Sequence, residues 1–194
     1  MNDPERLSEF LADFNKRHPL NPSNAPQAVK DVYGNMKAPD TNYGPPTGAN
    51  ADTAKYWANY FGYPDQYANN KVSVESKGKA DAWVAGSQAG GLEQVRPIAA
   101  ADVGFDFGNR NGGNLTEPKD IEAFRQAMHD PNFATMVGSM LARNNFNQAG
   151  DDPFRAEAGY RNGFGTLNDM ERSGKPWPNP GYVRKMFPGQ WNGQ

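Results

Sequence analysis

Glu75 and Ser76 close a stretch with helical spacing that begins at Asp65, and Glu75 is the side chain best placed to move a proton. Ala68 and Val72 stand at i−7 and i−3 from it, on one helical face. Apolar neighbours raise a carboxyl's pKa because burial penalises the charged form. A carboxyl held this way keeps its proton near neutral pH, acts as a general acid, and once ionised acts as a base. Further along, the run to Gly91-Leu92 would return the chain across the same face. Gly90 and Gly91 let backbone approach a ligand closely, and Gln94 offers both a donor and an acceptor. Tyr160 adds a ring and a hydroxyl. Taken singly, a helical Glu is most often a solvated surface residue, a Gly/Ala run most often a loop, and a lone tyrosine most often a core or rim aromatic.

The bulk composition narrows the other possibilities. The chain has 194 residues, a length that favours a single domain with a buried core. Lys and Arg number 20 against 22 Asp and Glu, and the sequence pI is about 5.7, a balance that does not point to nucleic acid. There is no cysteine, so disulfides, thiolate chemistry and Cys-based zinc sites are excluded. The two histidines, His18 and His129, sit in no catalytic setting, and Asp151-Asp152 suits a helix cap better than a metal site. No apolar run is long enough to span a membrane, and the first 20 residues carry no apolar leader segment. Gly (21) and Pro (16) are plentiful, which fits a helical domain with long loops and an extended arm.

The elements that must position these residues are mostly helical. Residues 3–16 read as an amphipathic helix, with Asp3 as cap, Pro4 in the first turn and an apolar stripe of Leu7, Phe10, Leu11 and Phe14. Residues 19–50 are rich in Pro, Asn and Gly, with one short helix expected at 26–34. Asp52 is expected to cap a helix through Tyr63 whose aromatic face (Tyr56, Trp57, Tyr60, Phe61) reads as core. Residues 85–101 form a Gly/Ala-rich stretch, and 105–114 read as a loop. A helix is expected at 117–128. Asp130-Pro131 opens the clearest helix in the chain, bearing Phe133, Met136, Val137, Met140 and Leu141. Asp152-Pro153 and Asn179-Pro180 start two more, each start pairing a capping side chain with a preset φ. Trp177 and Trp191 are expected to pin the C-terminal loop. Strand-like alternation is nearly absent, so the fold is expected to be mainly α, with an arm at 1–50 and one domain at 51–194.

Three segments in order carry a resemblance: VES at 74–76, GSQAGGLEQVRPIAA at 86–100 and AGYRNGFG at 158–165. Together they resemble the lysozyme-like lytic transglycosylases, in which a Glu-Ser pair closes a helix, a Gly-Leu-x-Gln-x-x-Pro segment follows, and an Ala-Tyr-Asn-Ala-Gly-x-Gly segment lies well downstream. The matching residues are Glu75 and Ser76; Gly91, Leu92, Gln94, Pro97 and Ala100; and Tyr160, Gly163 and Gly165. Phe133, Val137, Gly138 and Leu141 resemble the helix before the tyrosine segment, and Tyr182 and Val183 the closing helix. The chain departs from the pattern at Glu93, where the family has Met, at Ala99, where it has Thr, and at Arg161, where it has Asn, with Asn162 one place later.

The resemblance implies a lysozyme-like helical domain over roughly 66–187 that cuts the MurNAc–GlcNAc β-1,4 bond of peptidoglycan glycan strands without water. Glu75 would be the single acid and base. Ser76, Gly90, Gly91, Leu92, Gln94, Tyr160 and Asn162 would bind substrate, with the glycine N–H groups and Gln94 meeting the sugar amides. Tyr160 would stack on a sugar or hydrogen-bond to Glu75. No metal and no cofactor are implied. A wall substrate, no leader and a long arm together point to a bacteriophage particle, with residues 1–50 holding other virion proteins. Two alternatives stand beside this: a structural virion protein with the same fold and no activity, and a hydrolytic lysozyme in which Glu93 or Asp81 supplies a second acid.

Overall fold

The computed structural model describes residues 4–18, 50–63 and 65–187. Among them are nine helices and two minimal hairpins, so the fold is mainly α. The helices are α1 (Pro4–Arg17), α2 (Ala51–Phe61), α3 (Asp65–Ser76), α4 (Pro97–Asp102), α5 (Pro118–His129), α6 (Pro131–Ala149), α7 (Pro153–Asn162), α8 (Phe164–Arg172) and α9 (Pro180–Met186). Strand β1 (Trp83–Val84) pairs antiparallel with β2 (Ala89–Gly90), and β3 (Arg110–Asn111) with β4 (Asn114–Leu115).

Helix α6 is the axis of the molecule. Asp130 accepts a hydrogen bond from the Phe133 amide at 2.8 Å, and Pro131 sets the first φ. The helix is buried along most of its length and lies between two apolar clusters. One cluster gathers Leu7, Leu11, Phe14, Trp57, Phe124, Phe133 and Val137. The other gathers Tyr67, Ala68, Val72, Leu92, Phe146, Ala156, Met186 and Phe187, and the candidate site grows from this one.

Helix α1 corrects the division at residue 50. Its stripe is buried: Phe14 stacks on Trp57 at 5.8 Å and meets Phe133 edge-on at 5.7 Å. Trp57 Nε1 donates to Asn132 Oδ1 at 2.7 Å, and Asn132 Nδ2 donates to Asn15 Oδ1 at 2.6 Å and to the His18 carbonyl at 3.1 Å. A stripe of four large apolar side chains must be covered, and here the body of the fold covers it. Helix α1 is therefore part of that body and not of an extended arm. The rest of the expected arm, with the helix expected at 26–34, lies outside the described residues, as does Trp191.

Other differences have local causes. Residues 105–114 were expected to be a loop, but Gly112 and Gly113 both take positive φ (58° and 89°), which closes a two-residue hairpin turn between β3 and β4. Helix α4 begins inside the Gly/Ala stretch, with Pro97 in its first turn. Helix α8 buries only Leu167, too little to mark a helix by apolar spacing. Asp152 caps α7 through the amides of Phe154 (2.9 Å) and Arg155 (3.2 Å). Asn179 does not cap α9: it sits at φ 52°, ψ 47°, and its side chain donates to Asn162 instead. Helix α2 opens from Asn50, with Asp52 inside its first turn rather than at the cap. No helix among the described residues is long and apolar enough to cross a membrane.

Candidate active site

Tyr67, Lys71 and Glu75 recur every four residues on α3 and so fall on one face. Tyr67 and Lys71 are fully buried; Glu75, in the last turn, is partly exposed. The helix ends just beyond it, where Lys77 (φ 57°) and Gly78 (φ 77°) turn left-handed. The Glu75 carboxyl thus emerges at the negative end of a helix dipole, from a bed of Ala68 and Val72, both essentially buried. The phenol of Tyr182, on α9, donates to Glu75 Oε1. Burial holds the Glu75 carboxyl up at about 7, against an ordinary 4.5; Lys71 and Arg161 pull it down and Glu157 pushes it further up. Of the three acids gathered here, Glu75 alone reaches solvent, since Glu93 and Glu157 have no exposed surface.

Behind Glu75 lies a buried polar group. Lys71 Nζ stands 3.8 Å from Glu93 Oε2 and 3.4 Å from the centre of the Tyr160 ring. The Tyr160 hydroxyl donates to the Glu93 carbonyl at 3.1 Å. Tyr67 donates to Glu157 Oε2. Lys71 Nζ, both carboxyl oxygens of Glu93 and Glu157 Oε1 make no hydrogen bond within the described residues. Burial pushes Glu93 up to about 7, with Lys71 opposing and Glu157 and Glu75 reinforcing. Glu157 is raised as well, again chiefly by burial. Burial also drives the phenols of Tyr67 and Tyr160 well above the ordinary tyrosine range, and the surrounding carboxylates add to the rise. The Glu93 carboxyl packs on the bare backbone of α6 at Gly138, where a Cβ would collide with it.

The other expected site residues divide sharply. Tyr160 is at the site, although its hydroxyl goes to the Glu93 backbone and the hydrogen bond to Glu75 comes from Tyr182. Gly90 and Gly91 are buried and serve packing. The Gly90 amide donates to Val95 and the Gly91 amide to Ala82, so neither faces a ligand. Side chains at these positions would strike Met128, Trp83 and Ala134. Leu92 is a core residue beside Val72. Ser76 is buried, its hydroxyl donating back to the Val72 carbonyl at 3.1 Å. Gln94 folds onto its own turn, donating to the Gly91 carbonyl at 2.9 Å. Asn162 donates to the carbonyls of Ala158 (2.9 Å) and Pro178 (3.1 Å) and accepts from Asn179 (2.6 Å), which anchors the segment before α9. In the Gly-Leu-x-Gln segment Gly91 and Leu92 are thus packed inside, and the half-buried Gln94 bonds to its own turn.

Lys71, Glu157 and the Glu75 contact of Tyr182 were not singled out as functional from sequence. The four-residue spacing of Tyr67, Lys71 and Glu75 was visible, as was the three-residue spacing of Glu157 and Tyr160. What sequence could not show is that two helices whose facing residues Tyr67 and Glu157 lie 90 residues apart turn those faces toward each other. Arg161 is exposed, its guanidinium 5.3 Å from the Tyr182 ring centre. Among the described residues no group of three or more acid or histidine side chains is arranged to hold a metal ion. No protein-family model, no curated protein and no solved structure matches the chain.

Proposed function

We propose that this protein is a peptidoglycan lytic transglycosylase in which Glu75 is the only catalytic residue that exchanges protons with substrate. One observation carries the proposal: a solvent-reaching carboxyl at the end of α3, bedded on apolar residues, held by Tyr182 and raised to about 7. Glu75 gives its proton to the glycosidic oxygen, and the bond from that oxygen to C1 of the muramic sugar breaks. The sugar's N-acetyl oxygen stabilises the cationic C1 that results. The Glu75 carboxylate then takes the proton from the C6 hydroxyl as that oxygen bonds to C1, closing a 1,6-anhydro ring. Glu75 ends protonated, and no water is consumed.

Glu93 is electrostatically coupled to Glu75, yet it has no solvent-exposed surface. A carboxylate so placed does not activate a water on the far face of a sugar, and this favours the anhydro outcome over hydrolysis. The setting we propose is a bacteriophage particle, with the Pro/Asn-rich chain between α1 and α2 as the attachment to other virion proteins; it is supported by the composition of that segment.

A zymogram on purified peptidoglycan tests the activity. Clearing by the wild type, its loss in Glu75→Gln, and products one water lighter than hydrolytic muropeptides are expected. Products with a free reducing end would make the enzyme a lysozyme. No clearing by folded wild-type protein would leave a structural protein with this fold.

A further inference from the structure

Lys71 and Glu93 have no part in the reaction as written, and both are completely buried. Such a pair is expensive, because desolvation of two charges commonly exceeds their attraction, and well-packed apolar side chains of like volume would be at least as stable. The pair is also incompletely satisfied: Nζ and Oε2 are 3.8 Å apart, and neither group makes a hydrogen bond within the described residues. Its position is specific. Lys71 is one turn before Glu75 on the same face of α3, so an unbalanced ammonium there would draw the proton off Glu75.

The groups that face Glu75 come from four parts of the fold. They are Lys71 on α3, Glu93 after β2, Glu157, Tyr160 and Arg161 on α7, and Tyr182 on α9. Lys71 is the buried cation in this set; Arg161 is exposed to water, which screens it. Two buried acids could balance Lys71. Glu157 has one oxygen engaged by Tyr67. Glu93 has both oxygens free of hydrogen bonds, one of them paired with Lys71 Nζ, and its carboxyl is pressed into place by Gly138.

We propose that Glu93 is a positioning residue that sets the charge felt at the catalytic carboxyl: held against Lys71 from the buried side, it cancels the ammonium and lets Glu75 keep its proton. Lys71 in turn offsets the negative charge of Glu93 behind Glu75, while Glu157 is held by Tyr67. The net charge of the pair is close to zero only while Glu93 is ionised, and because burial holds Glu93 up at about 7 as well, the two carboxyls titrate as one coupled pair. This inference rests on the assignment of Glu75 as the acid, and it is tested by a measurement that needs no turnover.

The experiment is a carboxyl carbon NMR titration of the intact, Glu-labelled protein, with the Glu75 resonance assigned by its loss in Glu75→Gln. In Glu93→Gln, a near-isosteric change, the Glu75 midpoint is expected to fall by about one pH unit, because Lys71 is left unbalanced. In Lys71→Met it is expected to rise, and in the double variant to return close to the wild-type value. Glu157→Gln should lower it as well, because Glu157 acts on Glu75 directly. A Glu75 midpoint that stays put in both folded single variants, or that rises in Glu93→Gln, overturns the proposal. If Glu93→Gln does not fold, the rise in Lys71→Met and its cancellation in the double variant decide the matter. Where the enzyme clears peptidoglycan, the alkaline limb of its pH profile should follow the same shifts. Midpoints that move as stated, in a protein that clears nothing, support the charge arrangement and remove the enzymatic reading.

Discussion

Tyr182 and Glu75 lie 107 residues apart in the chain, and the phenol of one donates to the carboxyl of the other. The contact joins α9 to the last turn of α3 and fixes the direction in which the acid points. Tyr182→Phe keeps the ring and removes the donor. If the proposed activity holds, clearing of peptidoglycan is expected to slow by about tenfold, the cost of one hydrogen bond to the carboxyl, while binding of glycan changes little. Separate measurement of kcat and KM on soluble glycan strands checks this; an unchanged kcat would refute the orienting role.

The pH profile of activity follows from which form of Glu75 works. In the proposed reaction the acid enters protonated, so the rate should be level below about 6 and fall through about 7 as the carboxyl ionises. Arg161 lowers the Glu75 pKa from the solvent side, so Arg161→Asn should move the alkaline limb upward. A limb that moves downward in this variant would contradict the electrostatics.

Stability should respond to pH in the same range, with a definite sign. Glu75 and Glu93 bind protons more tightly in the fold than in the unfolded chain, because their values rise from 4.5 to about 7. Stability from this source is therefore complete below about 4.5, is lost as pH rises toward about 7, and is level above that. Glu171, held low by Arg155, acts the other way and only at acid pH, below its ordinary value. The melting temperature is expected to decline between pH 5 and pH 7.5, with a shallower slope in Glu93→Gln, as differential scanning calorimetry would show. An equal slope in the variant would remove Glu93 from the account.

Gly138 has no room for a side chain, because the Glu93 carboxyl occupies the space against α6. Gly138→Ala is expected to destabilise the protein by about 1–3 kcal/mol by overpacking, and to displace Glu93 from Lys71. Chemical denaturation gives the first quantity. The titration midpoint of Glu75 reports the second.

Much of the helical framework was legible because it obeys local rules. Asp130-Pro131 and Asp152-Pro153 carry a capping oxygen and a preset φ, and both start helices as those rules require. Asn179-Pro180 has the same two letters, but its asparagine is drawn to Asn162 by a contact that only the tertiary fold creates. The site was legible in one part. Glu75 on the Ala68 and Val72 face followed from helical spacing, whereas the ligand roles of Gly90, Gly91, Leu92 and Ser76 were implied by the resemblance, and these residues are buried in the fold. Glu93 was legible as a candidate second acid, but its burial with Lys71 and Glu157 was not, because charged residues in sequence are read as solvated and this burial depends on three segments meeting.

Helix α1 has a further consequence. Its seat is complete without the covalent connection to α2: Leu7, Leu11 and Phe14 are buried against the body, Asn15 exchanges hydrogen bonds with Asn132 and Asp130, and the Phe14 ring stacks on Trp57. Proteolytic nicking anywhere in 19–49 would therefore leave a two-fragment complex that comigrates under native conditions and separates only in denaturant. A synthetic peptide of the first eighteen residues should complement a truncated chain in trans.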